Sequence, residues 1–396
     1  MVRIHGGEYR LLHTPSAAQE KVLSNIVACR TAQLGGHVDE CENGCGFSRI
    51  SYNSCRDRHC PKCQGPRRAE WLSRRLSRVL PAPHFHVVFT MPDDLNPLAL
   101  RNKKTVFKIL FDAASETLLE LAKEEKRLGA TIGITAVLHT WGQNLLFHPH
   151  LHCVVTGGGL SACGTKWNQG NARYFLPIKV MGTLFRGKFL DALNLAYKSG
   201  DLDIRGTSAS LEDPMAWNAF KDRLYRKDWV VYAKPPFGGV RQVFAYLGRY
   251  THRVAISNHR LIEMKNDRVS FSFRDYKNGN KKSVMTLTAV EFTRRFLLHV
   301  LPSGFTRIRH YGLYAGQNVE TKLKTARLLL EPVAKDDSTS ETVSSSKPQA
   351  SWYERFLENT GVDVMRCPSC GKRLVRTRRI EPSIAGFRLT GTCNTS

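Results

Sequence analysis

His148-Pro149-His150-Leu151-His152-Cys153-Val154-Val155 is the stretch on which the fold of this 396-residue chain turns. Side chains alternate in direction along a β-strand, so His150 and His152 share one face while Leu151 and Cys153 share the other. One face is therefore core-seeking, and the other holds two imidazoles side by side. The run ends in a glycine turn at Gly157 to Gly159, and upstream ATIGITAVLHTWG reads as a partner strand that meets it near Gly142 to Asn144. Before that, HFHVVFTM from His84 alternates and is β-rich, Pro92 to Pro97 breaks the chain, and Thr105 to Ala122 carries apolar residues at helical spacing. Strands interleaved with helices make the fold class α+β, on an antiparallel or mixed sheet.

Farther along, DWVVYAKPPFGG is a strand stopped by Pro235 and Pro236, and VRQVFAYLGRYTHR has helical periodicity through Val240, Val243, Phe244, Leu247 and Thr251. RVSFSFRDY and KSVMTLTAV flank Asn278-Gly279-Asn280, a hairpin signal. Thr288 with Glu291 three residues later is a capping box, and it opens a helix with Phe292, Phe296 and Val300 on one face. The sequence divides into a cysteine-dense module over residues 1–82, an α+β domain over 83–333, a Ser-rich linker over 334–351 and a short tail over 352–396 that holds Cys367-Pro368-Ser369-Cys370.

Composition narrows the function. Lys and Arg number 59 against 34 Asp and Glu, a formal net charge of +25. Such an excess attracts a polyanion, and nucleic acid is the usual one because each neutralised phosphate releases condensed counterions. Charge alone also suits a ribosome-associated or membrane-surface protein. The longest apolar runs are strand-length, far short of the roughly 20 residues of a membrane span. The opening MVRIHGGEYRLLHTP lacks the apolar segment of a secretory signal, so the chain reads as cytoplasmic and not membrane-bound.

Of eleven cysteines, six crowd between Cys29 and Cys63, which favours metal over disulfides. Zn²⁺ takes four soft ligands in a tetrahedron, and paired cysteines on a tight turn supply two of them without strain. Cys41-x3-Cys45 followed by Cys60-Pro61-Lys62-Cys63 has near-ribbon spacing, while Cys29, His37, Cys55 and His59 amount to a second full set. One or two structural zinc ions are expected, and spacing does not say which four residues share an ion. Arg56, Arg58, Lys62, Arg67 and Arg68 would present positive charge to DNA from this module. The tail pair Cys367 and Cys370 is half a site, to which only Cys393 is a further contributor.

His150 and His152 form a ready metal platform, and Gln143, near the end of the preceding strand, would add an oxygen ligand. Mixed oxygen and nitrogen donors suit Mg²⁺ or Mn²⁺ with positions open for a substrate phosphate. His84-Phe85-His86 has the same form on another strand, so spacing alone does not choose between the pairs; His86 is either a satisfied sheet histidine or a lining residue of the same site. Tyr246 and Tyr250 are four apart on the expected helix and so project from one face, flanked by Arg249 and Arg253. A tyrosine hydroxyl with pKa near 10 is about 0.1% ionised at neutral pH, so a nucleophilic role requires a polarised phosphate and nearby cations. Without the histidines, the two tyrosines are ordinary amphipathic packing residues.

Together HPHLHCVV, YLGRYTHR, EFTRRFLLHVLPSGF, RIRHYG and the N-terminal CENGCGFSRISYNSCRDRHCPKC resemble the two-tyrosine HUH transposases of the IS ninety-one type, from about Cys29 to Ala315. The resemblance implies an HUH endonuclease-like sheet behind a small zinc-binding domain. It also implies that His150 and His152 are the ligand pair and that Tyr246 and Tyr250 are the nucleophiles. The third ligand varies in such enzymes; Gln143 is preferred ahead of His252 and His148. The implied activity is rolling-circle transposition of an insertion sequence, in which single-stranded DNA at element ends and target is cut through 5′-phosphotyrosine links, with no small-molecule cofactor. The rivals are a replication initiator or relaxase that shares the site, and a zinc-containing DNA-binding regulator without chemistry.

Overall fold

The fold was established from a computed structural model that describes residues 1–63, 71–72, 74–171, 176–234, 242, 244, 248, 255–275, 279–331, 353–354, 357 and 361–383. The chain forms two compact units, residues 1–66 with 341–396 and residues 67–340.

The first unit opens with helices α1 (Val2–Leu12) and α2 (Ala17–Ala28), then strands β1 (Gly36–Cys41) and β2 (Ser48–Tyr52). A complete capping box starts α2: the Ser16 hydroxyl accepts from the Gln19 amide, and the Gln19 side chain accepts from the Ser16 amide.

The second unit runs through β3 (His84–Thr90), α3 (Asn96–Arg101), α4 (Lys103–Lys123), β4 (Ala130–Thr131), β5 (Gly133–Trp141), β6 (Phe147–Thr156), β7 (Gly158–Ser161) and β8 (Trp167–Gln169). It continues with α5 (Ile178–Lys198), α6 (Pro214–Arg226), β9 (Val231–Lys234), β10 (Leu261–Lys265), β11 (Arg268–Asp275), β12 (Lys281–Thr288), α7 (Ala289–Leu298), β13 (Ile308–Gly312) and α8 (Lys324–Leu330). Its central sheet is antiparallel, in the order β13-β5-β6-β3-β9.

The expected α+β class holds, and the alternation in the sequence explains which face is which. Val87 and Phe89 on β3, Ile134 and Leu138 on β5, and Leu151, Cys153 and Val155 on β6 all enter the main core. There they meet Phe107 and Phe111 of α4 and Phe185 and Phe189 of α5, all fully buried. The residues between them point to the opposite face, where the histidines stand.

Strands β11 and β12 pair as the hairpin signal predicts, and Gly279 and Asn280 in the turn both have positive φ. Helix α7 begins where expected, with the Thr288 hydroxyl accepting from the Glu291 amide. Only half of the box forms, because the Glu291 carboxylate pairs instead with Arg294 and Arg295. Gly312, which ends β13, is required twice over: its φ is +58°, and a Cβ there would lie 1.9 Å from the Ile132 carbonyl oxygen.

The compact units divide the chain differently from the expected segments at both ends. Strand β14 (Leu374–Ile380) is not part of a separate tail but pairs antiparallel with β1, from Gly36 opposite Ile380 to Cys41 opposite Leu374, giving the sheet order β14-β1-β2. The N-terminal part of this unit runs over residues 1–66. Sequence reasoning missed the β14–β1 pairing because strand pairing between chain ends leaves no local signal. The linker at 334–351 lies outside the described residues. No helix among the described residues is long and apolar enough to cross a membrane.

Candidate active site and metal centres

Residues opposite one another in an antiparallel pair point to the same side. His139 on β5 and Thr90 on β3 flank His150, while Val137 and Val88 flank His152. The result is a histidine cluster in which ligand nitrogens of His139, His150 and His152 all lie within 4.8 Å of one another. His150 Nε2 and His152 Nε2 are 3.1 Å apart. Behind them, His150 Nδ1 donates to the His148 carbonyl at 2.7 Å, and His152 Nδ1 lies 2.8 Å from His86 Nε2.

A carbonyl can only accept, so a neutral His150 carries its proton on Nδ1 and turns an Nε2 lone pair toward His152. Burial pushes His150 and His86 down to about 4, and carries His139 and His152 well below the ordinary histidine range. All four rings are thus neutral at physiological pH, the form that binds metal. Two ligands about 2.1 Å from one octahedral ion stand roughly 3 Å apart, so the His150–His152 spacing fits a shared divalent cation.

The cluster forms part of the lining of a cavity of about 960 Å³, whose walls include Gln143, His259, Arg260, Arg274 and Arg294. Gln143 sits on the β5–β6 turn, and its backbone carbonyl accepts from Arg260. That turn is clamped: His299 reaches the Leu145 carbonyl at 3.1 Å and the Thr140 hydroxyl at 3.2 Å, and Arg295 donates to the Asn144 carbonyl at 3.0 Å. Leu145 needs such support, since a leucine at φ +64° is strained.

In the first unit the cysteines form two groups of four, Cys29 with Cys55, Cys60 and Cys63, and Cys41 with Cys45, Cys367 and Cys370. Within the first, Cys29 and Cys63 sulfurs are 3.3 Å apart and Cys55 and Cys63 sulfurs 3.6 Å. Within the second, Cys41 and Cys370 are 3.3 Å apart and Cys45 and Cys367 3.6 Å. Four thiolates about 2.3 Å from one zinc ion would stand roughly 3.8 Å apart, so both groups fit tetrahedral zinc.

Residues 1–91 match the family model described as "Transposase zinc-binding domain", and residues 133–322 match the one described as "Putative transposase". The chain is 46% identical over 385 residues to "Putative transposase y4qJ" of Sinorhizobium fredii, covering 97% of this chain and 95% of that protein. The chain belongs to the IS91/IS801-type transposase family. It is also 27% identical over 375 residues to "Transposase for insertion sequence element IS801" of Pseudomonas savastanoi pv. phaseolicola, covering 91% of this chain and 83% of that one. No solved structure matches it. A transposase acts on DNA, which accounts for the net charge of +25.

In this transposase the cysteine groupings that spacing left open are visible. Cys41 and Cys45 do not join Cys60 and Cys63; each pair is completed from elsewhere, one by Cys29 and Cys55, the other by Cys367 and Cys370. His37 and His59 stand outside both groups. His37 faces Asp39 at 3.4 Å and Arg376 at 3.3 Å. His59 is buried against Asp57 at 3.1 Å; although burial opposes it, hydrogen bonds from His59 and Asn25 hold Asp57 down to about 2.

Of the two histidine pairs, His84 proves to be a satisfied sheet residue, with Nδ1 on the Ala82 carbonyl and Nε2 on the Tyr314 hydroxyl, both at 2.7 Å. His148 stands outside the cluster, with Nδ1 3.7 Å from Asp93. His139 was missed, although a histidine four residues before Gln143, on the strand expected to pair with HPHLH, was a usable signal. Arg56 and Lys62 are exposed and Arg58 half-buried. Tyr246, Tyr250, Arg249, Arg253, His252, Arg67, Arg68 and Cys393 lie outside the described residues. Phe244, two positions before Tyr246, is helical and fully buried against Val137 and Val154 on the histidine side of the sheet.

Proposed function

We propose that this transposase is an HUH single-strand DNA endonuclease and strand transferase that moves its insertion sequence by rolling-circle transposition. The observation that carries the reading is the pair of Nε2 atoms of His150 and His152, 3.1 Å apart with both Nδ1 atoms engaged behind them. These two residues hold Mg²⁺ or Mn²⁺, with His139 as a third nitrogen and Gln143, at the cavity wall, able to add an oxygen. When bound, the cation polarises the scissile phosphate and neutralises charge that develops on it.

Tyr246 or Tyr250 attacks phosphorus through its hydroxyl oxygen and gives up its proton. The new Tyr–O–P bond replaces the P–O3′ bond, and the departing 3′ oxygen takes up a proton, leaving a 5′-phosphotyrosine and a free 3′-hydroxyl. The link conserves the phosphodiester, so the reverse attack by a 3′-hydroxyl of the target rejoins DNA without an external energy source. A second tyrosine four residues along the sequence allows two successive transfers. Phe244 supports this reading, because it packs against Val137 and Val154 on the histidine face two positions before Tyr246 in the sequence. Arg260, Arg274 and Arg294 line the cavity with charge suited to the phosphate backbone. Arg56, Arg58 and Lys62 contact DNA from the first unit, Arg67 and Arg68, which follow it in the sequence, extend the basic run, and the protein works at the nucleoid.

The test is cleavage of end-labelled single-stranded DNA carrying the element's own terminus, with Mg²⁺ or Mn²⁺ against EDTA. Metal-dependent nicking that disappears in His150→Ala and His152→Ala is the expected result. Tight binding without cleavage under any divalent metal would leave a DNA-binding regulator in its place.

A further inference from the structure

We propose that Cys41, Cys45, Cys367 and Cys370 bind a second zinc ion that fastens the C-terminal strand β14 to the N-terminal sheet, where its arginines contact DNA phosphates. Cys367 and Cys370 lie beyond both family-matched stretches. The four sulfurs meet from two tight turns, each closed by a glycine amide on the carbonyl of its first cysteine. Gly44 N donates to the Cys41 carbonyl at 3.1 Å and Gly371 N to the Cys367 carbonyl at 2.9 Å. Gly46, directly after Cys45, and Gly371, directly after Cys370, have φ of +82° and +71°, conformations that glycine adopts without strain.

The sulfur separations of 3.3 and 3.6 Å run between the two turns and are far from the roughly 2.05 Å of a disulfide. Apolar packing at this corner is slight, consisting of Leu374 with the half-buried Phe47 and the cysteines themselves. So small a cluster adds little to the β14–β1 ladder, and a metal would anchor the strand further.

What the ion holds is a basic edge. Residues 361–383 contain six basic side chains and two acidic ones, and Lys372, Arg373, Arg376, Arg378 and Arg379 are exposed. The pairing of Arg379 with Glu381 at 3.0 Å is itself solvent-exposed, so it leaves the guanidinium available to a phosphate. The zinc half of the proposal is independent of the nicking chemistry, and the phosphate half rests only on DNA being the substrate.

Zinc per chain is to be measured by elemental analysis of the full-length protein, and binding to element-end DNA by fluorescence anisotropy at several salt concentrations. The proposal expects two zinc ions in the wild type and one in the Cys367→Ser/Cys370→Ser variant. The Arg376→Ala/Arg378→Ala/Arg379→Ala variant should keep two, yet bind DNA at least tenfold more weakly, with a salt slope shallower by about 2 to 3. A wild type with one zinc, or a double cysteine variant that keeps two, overturns the metal site, and the wild-type count stands whether or not that variant folds. An unchanged affinity and salt slope in the arginine variant overturns the phosphate contact and leaves the arginines as guards against pairing at the strand edge. Nicking by the same preparations at saturating DNA reports separately on the His150–His152 site.

Discussion

His86 Nε2 lies 2.8 Å from His152 Nδ1, with the two rings stacked at a centroid distance of 5.0 Å. If His86 accepts the Nδ1 proton, the Nε2 lone pair of His152 is released toward the same point as that of His150. His86 is therefore a positioning residue: it orients the ligand without touching the phosphate. Outer partners of this kind typically change metal affinity 10- to 100-fold. His86→Ala should weaken Mn²⁺ binding by that factor in an electron paramagnetic resonance titration, and excess Mn²⁺ should restore nicking. Unchanged affinity would show that His86 only packs.

The turn between β5 and β6 sets where His150 begins, and His299 holds it through Leu145 and Thr140. His299→Ala leaves a buried carbonyl and a buried hydroxyl without this partner, at about 1–3 kcal/mol each. Urea denaturation should show a loss of about 2–4 kcal/mol, with nicking slowed as well. His299→Ala with wild-type stability would mean that the turn holds itself.

Burial sets the acid limit of the fold. It pushes His84 down to about 4, and burial with the Arg75 and Arg78 charges takes His310 to about 3. Above pH 6.5 both are neutral in folded and unfolded chains alike. As pH falls from 6.5 toward 4 only the unfolded chain takes up these protons, so stability falls, by roughly 3–5 kcal/mol per histidine at the limit. Thermal melts should therefore drop steeply across that interval, and less steeply in His84→Gln. A flat profile between pH 6.5 and 4 would contradict the burial assigned to these rings.

In the core, Phe89 of β3 meets Phe185 edge-on at 4.9 Å and is fully buried. Phe89→Ala should cost about 3–5 kcal/mol in chemical denaturation. A much smaller loss would show that this sheet face packs loosely.

What could be read from the sequence follows the range of the interactions. Alternation along β3, β5 and β6, the hairpin at Gly279 and the cap at Thr288 are local, and each was legible as spacing. The placement of His86 beside His152 depends on which strands are neighbours, and so does that of His139 beside His150. The alternating pattern states a strand's faces but not its partners. The zinc groupings were not legible for the same reason in stronger form, since Cys367 and Cys370 meet Cys41 and Cys45 across more than three hundred residues of chain. His37 and His59 have ligand-like spacing but are engaged by Asp39 and Asp57, a competition that spacing does not reveal.

The proposed reaction is covalent attack on DNA by Tyr246 or Tyr250. Labelled single-stranded DNA bearing the element's end, incubated with the transposase and Mn²⁺, should yield a protein-linked label on a denaturing gel. The label should persist in Tyr246→Phe and in Tyr250→Phe but vanish in the double variant. A protein–DNA adduct that survives in the double variant, or none in the wild type on a verified end, would contradict the account.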